Sequence, residues 1–191
     1  MAQNPARRAA LTDAAIDVLA AEGARGLTFR AVDQRAGVPA GTASNYFANR
    51  DDLLHQAARR IHHRLAPDPT VLAELLRAPR DRALVTALMH DVLRRVCANR
   101  AGYLAMLELR LEATRRPEVQ AELSGTIRAE LEANIAYHLG EGLPGDRETV
   151  VLLYLAMTGL IVERLTLPEV LGDVRPEELV ELLVTRMVPE S

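Results

Sequence analysis

The chain has no tryptophan and only one cysteine, and its aromatic residues amount to 3% of the sequence; it also contains no lysine. Each shortage excludes something. A single cysteine, Cys97, rules out an intrachain disulfide and fits a reducing cytoplasm. Scarce aromatics leave a core of Leu, Val and Ala, which together with Arg and Glu are good helix formers, and β-branched runs are rare. Every side-chain cation other than histidine is an arginine, which suits bidentate phosphate contacts, although a coding bias accounts for a lysine-free chain more simply. The longest near-apolar run, 150–162, is too short to span a bilayer, so no membrane segment is expected. The stretch MAQNPARRAALTDAA has no apolar core ahead of its first charge, and no signal peptide is expected.

The chemistry of catalysis is missing as well. There is no glycine-rich nucleotide loop, no nucleophile elbow and no recognisable pair of carboxylates, so neither an enzyme nor a cofactor is expected. His62 and His63 are adjacent and cannot chelate from one helix face, His55 lies two turns from His62, and no metal site is expected. Cys97, on an apolar helix, reads as an inert thiol.

What is present is 191 residues with 49% apolar content, enough for a small domain joined to a larger one. Residues 1–65 carry nine arginines against six acids (+3), whereas residues 66–191 carry fourteen against twenty (−6). Only the N-terminal third is biased toward an anionic partner. Spacing predicts a first helix over 5–22, ended by Gly23. A second runs over 28–36, with Thr28 as N-cap and Leu27 and Val32 as a hydrophobic staple. A third, over 39–47, opens on Pro39, and a fourth runs from Asn49 to about residue 65 with Asp51 and Asp52 in its first turn. Beyond the break at PDP, helices are predicted at about 70–77, 81–99, 101–115, 118–139, 147–167 and 176–188. The fold expected is all-α.

The two short helices 28–36 and 39–47, joined by a tight Ala-Gly-Val turn, have the dimensions of a helix-turn-helix. The second opens with small residues, Pro39, Ala40, Gly41 and Thr42, that do not hold the backbone away from a partner. Ser44, Asn45 and Tyr46 follow, able to bond phosphates or base edges. Phe47 reads as a core wedge rather than a contact.

The segment LTFRAVDQRAGVPAGTASNYFANRDDLL resembles the DNA-binding domain of the TetR family of transcriptional regulators. The features that carry the resemblance are the Gly23 ending, Thr28, Ala36-Gly37-Val38, Gly41-Thr42, Tyr46-Phe47, Arg50 and Leu53-Leu54. It covers roughly residues 7–55; the rest matches in helical architecture alone. The resemblance implies an N-terminal three-helix DNA-binding domain over 1–52 and a larger ligand-binding and dimerisation domain over 53–191. It also implies that Arg30, Ala40, Gly41, Thr42 and Asn45 face base edges, and that Thr28, Ser44, Tyr46 and Arg50 hold phosphates. Family members often have Ser, Lys and Tyr where this chain has Pro39, Ala40 and Ser44, which weakens the expected phosphate grip. Arg7 and Arg8 read either as a compensating arm or as a solvated terminus.

For the remainder, the resemblance implies a homodimer enclosing a small-molecule pocket. Val119, Leu123, Ile127, Leu131 and Ile135 recur at four-residue steps, suiting a helix seam, and 147–167 is apolar all round, with Ala156 and Gly159 allowing close approach. Intrachain core is the alternative for both. Tyr103, Met106, Leu107 and Arg110 share helical spacing; Arg110 reads as paired with Glu108 or Glu112, or else as an anchor for an acidic ligand. His90, Tyr154 and Met157 are further pocket candidates.

The expected protein is a cytoplasmic, dimeric repressor, released from a palindromic double-stranded operator by a small molecule that tilts the helix running from Arg50 to Leu65. A TetR-like activator, or a regulator acting through a protein partner, is the alternative.

Overall fold

The computed structural model describes residues 4–190, and among them there is no strand. Among the described residues nine α-helices follow one another: α1 (Pro5–Gly26), α2 (Phe29–Arg35), α3 (Arg50–Leu65), α4 (Pro69–Leu75), α5 (Arg82–Ala98), α6 (Arg100–Ala113), α7 (Pro117–Gly140), α8 (Arg147–Thr166) and α9 (Pro176–Met187). Short 3₁₀ turns occupy Ala43–Asn45 and Pro168–Leu171. Helix starts follow their capping residues: Asn4, Thr28, Asn49, Asp68, Asn99 and Asp146 each accept backbone N–H bonds with their side chains.

One expected element is different. The helix anticipated over 39–47 is a turn followed by a single 3₁₀ turn. Gly41 sits at φ +87°, a conformation outside any right-handed helix. The first amides of the segment are also bonded to a side chain of α2 rather than left to start a helix.

The chain forms two compact units. One comprises the residues up to Ala66 together with Asn99–Leu123; the other comprises Pro67–Ala98 and the residues from Ser124 onward. Compactness thus joins all of α3, and α6 with it, to the helices of the expected DNA-binding domain.

In the first unit α1 packs against α2, α3 and α6, and α3 packs against α6. Leu11, Ile16, Leu19, Leu27, Val32, Phe47, Leu53 and Ile61 are its fully buried large side chains, so Phe47 is core, as the sequence suggested. Leu27 and Val32 bury together at the start of α2, as a staple requires. The helical path of α1 breaks at Gly23, with φ +70°; there the Glu108 carboxylate of α6 accepts the Ala24 N–H at 3.3 Å, and a Cβ on Gly23 would lie 3.0 Å from that same oxygen. Asp13 of α1 receives a two-pronged Arg60 contact (2.7 and 3.0 Å) and Arg64 at 2.9 Å, tying α1 to α3.

In the second unit α5, α8 and α9 pack on one another, with α4 against α5. Leu84, Val85, Leu143, Leu153, Val184 and Val188 form its core. The α8 helix is long and apolar enough to cross a membrane by composition, with mean hydropathy 1.6. Its contacts with α5 and α9 and its buried Leu153, Met157, Leu160, Ile161 and Leu165 are those of a core helix. The α7 stripe expected as a dimer seam is partly spent inside the chain: Leu123 and Ile135 are 8% and 4% exposed, and Val119, Ile127 and Leu131 are half-buried. On α8, Ala156 is half-buried and Gly159 is exposed.

Candidate nucleic-acid interface

The polar turn after α2 is held by an acid that the sequence reading did not single out. Asp33 is 2% exposed, yet its two carboxylate oxygens accept the Gly41 N–H and the Ala43 N–H, each at 2.7 Å. Its own backbone carbonyl accepts the Val38 N–H at 3.0 Å, so one residue ties both ends of the turn to α2. The hydroxyls of the turn close on themselves: Thr42 donates to the Pro39 carbonyl at 2.6 Å and Ser44 to the Gly41 carbonyl at 2.8 Å. Ala43 and Phe47 bury beneath, which leaves Ala40, Gly41, Ser44 and Asn45 exposed and Thr42 and Tyr46 half-exposed. An acid in the middle of the seven-residue helix FRAVDQR, eight positions before a glycine, was the available signal: short acids seek nearby backbone donors.

The other expected DNA residues are placed as follows. Arg30 is exposed on the first turn of α2. Thr28 is exposed, and its hydroxyl caps α2 by accepting the Ala31 N–H at 3.1 Å. Arg50, expected on a phosphate, has its guanidinium engaged within the chain. Its Nε donates to the Leu27 carbonyl at 3.2 Å, a terminal nitrogen donates to the Ala24 carbonyl, and the other terminal nitrogen lies 3.9 Å from Glu112. It closes the C-terminal end of α1, where helical carbonyls lack partners. Arg8 is also engaged: its guanidinium lies over the Phe47 and Tyr46 rings at 5.4 and 5.9 Å and donates to Gln56 at 2.7 Å. Gln56 in turn donates to Asp52 at 2.8 Å, and that bond, ahead of the Ala48 N–H, holds the Asp52 carboxyl below the usual carboxylate range. Arg7 is exposed.

The effector candidates divide between the units. Tyr103, Met106, Leu107 and Arg110 lie on α6 in the first; His90, Tyr154 and Met157 lie on α5 and α8 in the second. The buried face of α6 is Gly102, Ala105, Met106, Leu109 and Ala113, with Tyr103 and Leu107 half-buried and Arg110 exposed. Arg110 is therefore not set on the buried apolar face its spacing suggested. Met157 is buried, Tyr154 is half-buried, and His90 Nε2 faces the Glu181 carboxylate at 3.8 Å. On the same helix, one carboxylate oxygen of Glu163 is buried with no hydrogen-bond partner among the described residues. Burial pushes the Cys97 thiol up, outweighing the pull of Arg164, which disfavours the thiolate.

A short helix followed by a pinned, exposed polar turn, set on a small helical head, is the arrangement of a helix-turn-helix protein. Residues 11–57 match the family model described as bacterial regulatory proteins, tetR family, and residues 80–190 match the tetracyclin repressor-like C-terminal domain. The chain belongs to the TetR family, whose members are DNA-binding transcriptional regulators and not enzymes. It is similar to the HTH-type transcriptional regulator BetI of Rhizobium meliloti (strain 1021), 30% identical over 142 residues that cover 74% of this chain and 68% of that protein. With BetI of Agrobacterium fabrum (strain C58 / ATCC 33970) it shares 34% identity over 86 residues, 45% of this chain and 41% of that protein's length. Among solved structures it is similar to the multidrug binding protein EbrR complexed with imidazole, at 29% identity and a TM-score of 0.66, covering 98% of this chain and 93% of that one. EbrR has also been solved in complexes with ethidium and with proflavin.

The engagement of Arg50 generates a prediction about stability. Arg50→Ala strands the Leu27 carbonyl and takes the charged donor from the Ala24 carbonyl, which keeps only the Leu27 N–H at 3.3 Å, and hydrogen bonds from a charged donor contribute about 1.5–3 kcal/mol. Urea denaturation should show a loss of about 1–3 kcal/mol, and Arg50→Lys should recover little, because one ammonium nitrogen would have to reach both carbonyls that Arg50 serves from two separate nitrogens. Unchanged unfolding in both variants would mean that water serves those carbonyls equally well.

Proposed function

We propose that the protein is a homodimeric repressor that binds a palindromic operator and is released from it by a small molecule. The observation that carries this reading is the exposed turn 39–45, whose backbone is fixed from beneath while Ala40, Gly41, Ser44 and Asn45 stay open to a partner. In this reading Arg30, Ala40, Gly41, Thr42 and Asn45 face base edges, while Thr28, Ser44 and Tyr46 meet phosphates. Arg50 serves the head's own fold, and the exposed Arg7, Arg25, Arg30 and Arg59 supply the attraction to the phosphate backbone. Such a regulator works in the cytoplasm.

The dimer seam runs along α8 and α9. In support, Leu152 and Leu155 are 49% and 58% exposed, Gly159 lies on the open side of the same helix, and Leu182 of α9 is 49% exposed. Operator half-sites set about one DNA turn apart require a two-fold partner. A ligand that prefers one of two dimer states then changes the separation of the recognition turns, and only that preference gives it leverage.

The effector is an apolar molecule carrying a positive charge or N–H donors. The acidic ligand suggested by the sequence loses its anchor, since Arg110 is exposed. The buried Glu163 oxygen without a partner favours a donor, and the imidazole, ethidium and proflavin bound by EbrR point the same way.

Three experiments test these statements. A duplex selected by the wild-type protein from a randomised library should lose affinity with Thr42→Ala plus Asn45→Ala, by about 1–3 kcal/mol per base contact removed, with helical content kept. Native affinity in that double variant would exclude this turn as the reading element.

Gly159→Arg places a cation where a Cβ meets nothing within 4 Å in the monomer. Sedimentation should give a helical monomer that no longer retains the selected duplex. A folded dimer would place the seam elsewhere.

For the effector, thermal-shift measurements should show stabilisation by ethidium and proflavin but not by carboxylates of similar size, and Glu163→Gln should abolish the response. Stabilisation by carboxylates alone would overturn the cationic class.

A further inference from the structure

Asp33 holds a charge where charges are costly. At 2% exposure its carboxylate has left water, and the two N–H bonds at 2.7 Å are charge-assisted contacts of the strong kind that offset such a transfer. Ala43 anchors the segment by burial and its own backbone bonds coil it; between Val38 and Ala43, the bond that ties it to α2 is that of Gly41 to Asp33. Gly41 adopts φ +87°, Gly37 adopts φ +64°, and a Cβ at either would meet nothing within 4 Å, so no packing around these glycines dictates their conformation. The Thr42 and Ser44 hydroxyl bonds join the turn only to itself.

We propose that Asp33 is a positioning residue for DNA reading: by holding the Gly41 and Ala43 amides it sets the shape in which turn 39–45 meets base edges, and so controls sequence-specific binding rather than general attraction to DNA. The proposal rests on the DNA-binding reading above. Asp33 is buried and an acceptor only, so it cannot itself bind a phosphate or reach a base; its effect passes through the backbone it holds. Phosphate attraction comes from exposed cations and is insensitive to the shape of one turn, whereas base contacts require registry.

Asp33→Asn separates the two. The side chain keeps its volume and one acceptor oxygen, but its amide group turns a donor toward a backbone donor and releases one of the two N–H groups without leaving a cavity. The full-length protein selects duplexes from a randomised library; wild type and variant are then compared by fluorescence anisotropy on the selected duplex and on a scrambled duplex of equal length, across a salt series. The variant should bind the selected duplex at least about tenfold more weakly, with scrambled-duplex affinity within about twofold, an unchanged salt slope and native circular dichroism. Equal affinity for the selected duplex, or an equal loss on both duplexes, would overturn the proposal. Should the variant not fold, amide exchange in the free wild-type protein still decides: Gly41 and Ala43 should exchange slowly beside their exposed neighbours, and rapid exchange at both would overturn it. If the wild type enriches no duplex, the DNA-binding reading itself fails; if it enriches one that the variant binds as well, only the role of Asp33 fails.

Discussion

A carboxylate buried on the inner side of a seven-residue helix organises the N-terminal head. Asp33 accepts from Gly41 and Ala43 and, through its carbonyl, from Val38, so the chain leaving α2 is returned to α2 after each step. Taking those amides up explains why the residues after Pro39 do not make an ordinary helix, although Pro39 would open one well. It also explains why the segment can be small and polar without being loose. The exposed Ser44 hydroxyl joins the turn only to itself; the acid beneath joins it to α2.

The same economy governs the arginines. Of the nine in residues 1–65, Arg50 closes the end of α1, Arg60 and Arg64 converge on Asp13, Arg35 meets Asp17 at 3.4 Å, and Arg8 lies against Phe47 and Tyr46. A planar fork of donors is suited to each of these contacts, and an ammonium would serve most of them poorly. The nine arginines of this stretch therefore overstate the cations an anionic partner would meet. Four of them, Arg7, Arg25, Arg30 and Arg59, are open to solvent, and the other five are engaged within the head.

Helices and their ends were legible because capping residues and glycines act locally. Thr28, Asn49 and Gly23 did what their chemistry dictates wherever they stood, and the predicted ranges from α4 to α9 lie close to the observed ones. The Leu27–Val32 staple and the burial of Phe47 were legible for the same reason. What was not legible depends on distance. Arg50 has the composition of a phosphate ligand, and only the fold shows the Ala24 and Leu27 carbonyls arriving beside it, more than twenty residues earlier in the chain. The sequence assigned Asp33 no role of its own because its donors lie eight and ten residues ahead, beyond the reach of helical periodicity.

The effector half shows what periodicity leaves open. A stripe repeating every four residues defines a face but not what covers it. Val119 to Ile135 on α7 and the apolar girth of α8 therefore read as an interchain seam, with an intrachain core as the alternative. In the fold α7 turns Leu123 and Ile135 inward, whereas α8 keeps Leu152 and Leu155 outward beside Gly159. An all-round apolar helix that spends one face on α5 and α9 has its other face left over, and large exposed leucines beside a bare glycine allow the close backbone approach that a helix seam exploits. Arg110 follows the same logic in reverse. Its spacing put it with Met106, but a four-residue step still turns a side chain about 40° around the helix, enough at the edge of the buried face of α6 to bring it out, and a cation takes the side where water can reach it.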